Sequence, residues 1–207
     1  MMEYPELHSY VEAEILPRYD AFDKAHRRPH AERVIRDALA LAAYYPVNHE
    51  MVYVAAAFHD TGLCEDRATH HLVSGRIIRE DPMLPHWFSP EQVEIIAQAA
   101  EDHRASLDHD PRSIYGRIIA EADRQIEPET IVRRTVQYGL AHYPSPERET
   151  HWQRTLEHLH EKYAAGGYLK LWIPESPNAE KLGQLRALIS DEQRLRLLFD
   201  KIFNSET

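Results

Sequence analysis

"VYVAAAFHDTG", residues 52–62, joins an apolar run suited to a helical core to an adjacent histidine and aspartate, with a glycine two positions on. The segment predicts a buried helix whose last turn presents His59 and Asp60. Carbonyls at a helix end lack intrahelical partners and the dipole there is negative, which favours a cation. Neighbouring residues on a helix diverge by about 100°. Both side chains reach one ion only where the helix frays or the ion sits over its end. Gly62 suits a left-handed exit from that helix.

Outward from this segment, helical signals dominate. "PHAERVIRDALALAAYY" (29–45) opens with Pro29, tolerated in a first turn, and sets Val34, Ala38, Leu41 and Tyr45 at three- and four-residue steps. "SPEQVEIIAQAAEDH" (89–103) begins with the capping box Ser89–Gln92 and a proline at the first helical position, then carries the stripe Val93, Ile96, Ala97, Ala100. "PRSIYGRIIAEADR" (111–124) is expected to start its helix directly after Asp110, with Ile114, Ile118, Ile119 and Ala122 facing inward. Two further helices are expected to start at Pro128 and Pro146, and 178–203 reads as one long terminal helix preceded by Pro174 and Pro177. Only "YLKLW" (168–172) alternates, directly after Gly166–Gly167, and reads as a loop or short extended arm. The expected architecture is all-α: a helical body over 1–165, and a C-terminal arm and helix over 166–207 packed on the same domain.

Composition narrows the function classes. At 207 residues, 43% hydrophobic and 28% charged, the chain is an ordinary globular sequence able to bury a core without disulfides. Acidic residues outnumber basic ones 34 to 24, a net charge of −10, which disfavours a nucleic acid duplex as partner. The single cysteine, Cys64, excludes an intramolecular disulfide and any multi-cysteine metal site, and is expected to be a packed thiol. No basic stretch followed by an apolar run marks the N-terminus, and the apolar runs are too short to span a membrane, so a soluble cytoplasmic protein is expected. Fourteen histidines raise the prior for metal or acid–base chemistry.

Three helix termini carry the relevant residues: His30 opens one helix, His59 and Asp60 close another, and Asp123 closes a third. Two imidazoles and two carboxylates make a mixed nitrogen/oxygen set, better suited to a divalent transition metal than to calcium. Set on helices in this order, His30, the pair His59–Asp60 and the distant Asp123 resemble the ligands of the HD-domain superfamily of metal-dependent phosphohydrolases. The resemblance covers roughly residues 22 to 125. It implies a helical bundle and one or two divalent ions (Mn, Fe, Co, Ni, Mg or Zn), with His30, His59, Asp60 and Asp123 as ligands. Several groups in that superfamily carry additional histidines near the metal or on a second one. Here the candidates are His103 and either His70 or His71, with His26 as a pocket residue. The following "TGLCEDR" places Glu65–Asp66 farther along than the HD-x-x-E-D pattern of alarmone hydrolases, so that specificity is not implied and the doublet reads as a solvated loop.

Such a centre suits hydrolysis of a phosphoester or phosphoanhydride, which needs an in-line nucleophile and charge stabilisation more than covalent help. Asp60 or an adjacent carboxylate would orient the water, and His103 would give a proton to the leaving oxygen. Arg33 and Arg104 are candidate phosphate clamps, with Arg124 a weaker one. No P-loop, dinucleotide fingerprint or nucleophile elbow competes. The leading expectation is a hydrolase of a small phosphorylated metabolite, a nucleotide first among them. A di-iron oxygenase or lyase on the same scaffold, and a non-catalytic metal-binding helical module, stay open as alternatives. The C-terminal arm and helix are available to a partner or a homodimer.

Overall fold

A computed structural model describes residues 4–23, 26–143 and 147–207, and among them every regular element is a helix. The chain divides into two compact units: Met1–Arg124 with Trp172–Ser176, and Gln125–Leu171 with Pro177–Thr207. The division after Arg124 differs from the boundary expected at the diglycine. Residues 172–176 return to the first unit, where the Trp172 N–H donates to Glu121 Oε2 at 2.8 Å and the Tyr45 hydroxyl donates to Glu175 Oε2 at 2.6 Å.

Within the first unit, α3 (His49–Phe58) is the central helix, and every residue from Glu50 to Phe58 is buried. Asn48 starts it by accepting the Glu50 and Met51 N–H groups at 2.9 and 3.2 Å. Around it pack α2 (Arg28–Ala42), α5 (Pro90–Glu101), α6 (Ile114–Asp123) and the π turn Val11–Ile15. Full burial explains the uniform apolarity of residues 51–58: no face of that stretch meets water. Phe58 alone, with no exposed surface, contributes about 1.5–3 kcal/mol by transfer.

The N-terminal run, helical from α1 (Pro5–Tyr10) through the π turn to the 3-10 segment Leu16–Ala21, buries Leu7, Val11, Ile15 and Tyr19 at four-residue steps. The capping box at α5 forms as expected. The Ser89 hydroxyl accepts the Gln92 N–H at 3.3 Å, and the Ser89 N–H donates to Gln92 Oε1 at 2.9 Å. α6, by contrast, begins three residues later than expected, at Ile114, with Ser113 accepting the Gly116 N–H at 3.2 Å. The carboxylate of Asp102 takes the Arg112 N–H at 2.7 Å and its Nε at 2.9 Å, which holds that residue outside the helix.

The second unit contains α7 (Pro128–His142), α8 (Arg148–Tyr163), α9 (Asn178–Ser190) and α10 (Glu192–Glu206) around Val132, Val136, Trp152, Leu159, Leu185 and Phe199. The expected start at Pro146 lies outside the described residues. The single terminal helix is in fact two: Asp191 leaves helical geometry (φ −99°, ψ 80°) and its side chain caps α10 through the Arg194 N–H at 3.0 Å. Residues 168–171 form no regular element, as the arm reading expects; the Tyr168 and Leu169 N–H groups bond back to carbonyls of α8 at 3.1 and 3.0 Å.

Candidate metal centre

His59 terminates α3 and Asp60 follows it out of the helix (φ −108°, ψ 4°) into the 3-10 turn Thr61–Cys64. The exit is not left-handed at Gly62, which has no positive φ. Glycine is required there for close approach instead: a Cβ would lie 2.0 Å from the His70 carbonyl oxygen and 2.6 Å from the Ser74 nitrogen. The Gly62 N–H donates to Ser74 Oγ at 2.9 Å, so the turn is seated on the first turns of α4 (His70–Glu80).

This seating gathers six side chains. His30 Nε2 lies 3.1 Å from His59 Nε2, 3.3 Å from Asp60 Oδ2 and 3.3 Å from Asp123 Oδ1. His59 Nε2 lies 3.2 Å from Asp60 Oδ2 and 3.8 Å from Asp123 Oδ1. The other oxygen of Asp60, Oδ1, faces His70 Nε2 and His103 Nε2 at 3.4 Å each, and those two nitrogens are 3.1 Å apart. Two groups that could each hold a metal ion result, His30–His59–Asp60 and Asp60–His70–His103, with one carboxylate common to both. His59 and His103 are buried, Asp60 is 3% exposed, and Asp123, with 29% of its side chain accessible, is the open side.

The tautomers are legible from the hydrogen bonds. His59 Nδ1–H donates to the Ala56 carbonyl at 2.8 Å, His70 Nδ1–H to Arg67 at 2.7 Å and His103 Nδ1–H to Ala100 at 2.5 Å. Each acceptor is the carbonyl three residues earlier, and a carbonyl can only accept, so Nδ1 of all three imidazoles carries a proton and the Nε2 edges face Asp60, as lone pairs wherever the ring is neutral. Buried lone pairs converging on a carboxylate repel one another unless a cation lies between them. An Nδ1–H donated to a carbonyl is also the usual support of a metal-ligating histidine. The donor set and its second layer of hydrogen bonds therefore fit a divalent metal.

Charge follows the same geometry. Burial disfavours a charged His30, yet the hydrogen bonds it donates to Asp123 and Asp60 outweigh it and raise its pKa to about 9. Burial likewise opposes ionised Asp60, but the surrounding His59, His103 and His30 hold its carboxyl well below the usual carboxylate range. Asp123 is also depressed, against burial, chiefly by His30.

The doublet resolves in favour of His70. His71 is buried beside it with Nδ1 unpartnered, and burial pushes its pKa down to about 4, so it is neutral. His26 stands at the rim, its ring centroid 5.6 Å from that of His30 and its Nδ1 2.8 Å from Asp23 Oδ2. Arg33 spends its donors inside the protein, on the Ala122 and Asp123 carbonyls at 2.9 and 3.2 Å and on Asp37 at 3.2 Å. It thus closes the C-terminus of α6, where cations are favoured, and fixes Asp123 rather than standing free for a phosphate. Arg104 bonds the Ala68 carbonyl and Arg124 the Ala120 carbonyl, each through one terminal nitrogen. Glu65 and Asp66 are exposed, as a solvated loop should be. Cys64 corrects the packed-thiol expectation: it is exposed, because the turn carries it to the surface.

One residue at the centre has no signal in sequence. The Tyr19 hydroxyl, fully buried, donates to the Ala57 carbonyl at 2.9 Å and accepts the Asp60 N–H at 3.2 Å. A phenol forty-one positions from Asp60 becomes a partner only through folding.

No curated protein and no solved structure matches the chain. Among protein-family models, that of the HD domain matches residues 27–125, the span that carries all six of the converging side chains. Residues 27–125 are an HD domain.

Proposed function

We propose that the protein is a metal-dependent phosphohydrolase that cleaves a phosphoester or phosphoanhydride of a small metabolite, a nucleotide first among the candidates, in the cytoplasm. The observation that carries this reading is the sharing of Asp60, with Oδ2 turned to His30 and His59 and Oδ1 to His70 and His103. His30, His59, Asp60 and Asp123 would hold one divalent ion, and Asp60, His70 and His103 a second. Such ions supply a water acidic enough to attack at neutral pH and neutralise the charge of a phosphate oxygen. Asp123, the accessible carboxylate, would hold the ion through Oδ1, the oxygen turned to His30 and His59, and its other oxygen is suited to orient the attacking water and accept its proton. Arg104 keeps donors beyond its bond to Ala68 and is the better of the two arginines for a substrate phosphate; Arg33 serves by positioning Asp123. With only the first ion bound, His103 Nε2 could hold the proton for the leaving oxygen; with both bound it is a ligand.

Phosphate release from a panel of nucleoside mono- and triphosphates, with manganese, cobalt, nickel, magnesium, iron or zinc, tests the reading. Turnover is expected with at least one pairing, falling to background in Asp60→Ala. In the two-ion case His70→Ala retains one equivalent of metal and Asp60→Ala neither. No turnover on any substrate, with metal confirmed bound, overturns it. The same histidine-rich second set also favours a di-iron oxygenase or lyase. Two irons per chain together with oxygen consumption would select that reading over hydrolysis.

A further inference from the structure

Beside the turn that follows Asp60 lies a cavity of about 480 Å³, and none of the six metal-facing side chains lines it. Its apolar walls are Phe22, Leu63 and Ile77, each only partly buried, with Ala21 adding a small side chain. Arg18, Thr61 and Cys64 complete the lining. The volume falls within the roughly 300–1,000 Å³ typical of small-molecule sites.

Arg18 decides the chemistry. Its Nε donates to the Glu14 carbonyl at 3.0 Å, an i to i−4 contact that directs the side chain along its own segment. Among the described residues, no carboxylate pairs with its guanidinium. The two terminal nitrogens thus have four N–H donors in a planar fork, the geometry that matches a carboxylate in bidentate fashion. An exposed guanidinium with spare donors beside wetted apolar walls can exchange its water for a ligand that meets both. An apolar body would release that water, and an anionic head would satisfy the fork.

We propose that this cavity is a second ligand site, taking a small amphipathic anion whose carboxylate lies on Arg18 and whose apolar body fills the space against Phe22, Leu63 and Ile77. The site goes beyond the phosphohydrolase reading and does not depend on it.

Cys64 is the only cysteine in the chain and lines the cavity, so it reports occupancy without engineering. The rate of its alkylation by iodoacetamide, followed by intact mass on the full chain, is measured with octanoate and with octanol, kept below the concentration at which octanoate aggregates. Octanoate is expected to slow alkylation severalfold and saturably, and octanol to protect far less. Arg18→Gln should weaken the apparent octanoate affinity by about tenfold, the scale of one lost charge-assisted hydrogen bond. Ala21→Leu, which takes up part of the cavity and leaves the charge in place, should weaken protection. Absence of protection by octanoate overturns the proposal. So does equal protection by octanol, or an unchanged affinity in Arg18→Gln. Arg18 is exposed and its replacement leaves the core intact, so that variant decides the matter if Ala21→Leu fails to fold.

Discussion

The Tyr19 hydroxyl sits between the last carbonyls of α3 and the backbone of Asp60, with one bond to each. Removing it while keeping the ring leaves a buried carbonyl and a buried N–H without this partner, a loss of about 1–3 kcal/mol. Because the N–H belongs to the residue whose carboxylate is shared by both candidate ligand groups, the loss is expected to reach a bound metal. Tyr19→Phe is expected to lower metal affinity by about 10–100-fold, the usual effect of removing a supporting hydrogen bond. Calorimetric titration of the metal-free variant reads this directly; an affinity equal to wild type would reduce Tyr19 to a packing residue. Individual residues were unevenly legible in the sequence. His30, His59, Asp60 and Asp123 stood out because their types and their places at helix ends agree. Tyr19 carried no such signal, since an aromatic residue in an apolar stripe reads as core whether or not its hydroxyl is used.

Between elements, Arg79 of α4 reaches across to α5, pairing with Glu94 at 2.7 and 2.9 Å and with Glu101 at 2.5 Å. Arg112 joins the same cluster through Glu101 at 2.6 Å and Asp102 at 2.7 Å, directly before His103. The clamp fixes α4 against α5, and with them the two helix ends that bear His70 and His103. The hydrogen bonds from Arg79 hold the Glu94 carboxyl down at about 2. A folded-state pKa below the unfolded value of roughly 4.3 means stability that is present above the unfolded value. It is lost as pH falls through the folded one. Chemical denaturation at pH 5 and pH 2 should therefore show wild type losing an increment that Glu94→Gln lacks. Both partners are a third or more exposed, so the increment is modest, about 1 kcal/mol or less. An equal pH dependence in the two proteins would show that the pair does not act. At this scale the sequence yielded most helices, because caps such as Ser89 and four-residue apolar steps are local signals. It misplaced the start of α6 and ran α9 into α10, because Arg112 is held by Asp102 from another element and the Asp191 cap interrupts an otherwise continuous helical pattern.

For the molecule as a whole, the buried carboxylates and lone pairs of the first unit make metal binding part of its stability. A ligand that binds only the folded state stabilises it by about 2.7 kcal/mol at a hundred times its dissociation constant. For a chain of 207 residues this corresponds to roughly 5–10 °C in melting temperature. Chelation should produce a decrease of that size and re-addition of metal should reverse it. An unchanged melting temperature, with metal shown to leave, would place the ion outside the buried centre. Among the described residues no helix is long and apolar enough to cross a membrane, which agrees with the short apolar runs. The all-helical architecture, the burial of α3 and the ligand types around one end of it were determined by the sequence itself, since periodicity, caps and side-chain chemistry act over a few residues. The tertiary structure alone decided the rest: that His70 rather than His71 faces the centre, that the Asp60 carboxylate lies between His30–His59 and His70–His103, that Arg33 is spent on the end of α6, and that Cys64 lies at the surface. Those outcomes depend on distances between groups far apart along the chain, and such distances exist only once the helices have packed.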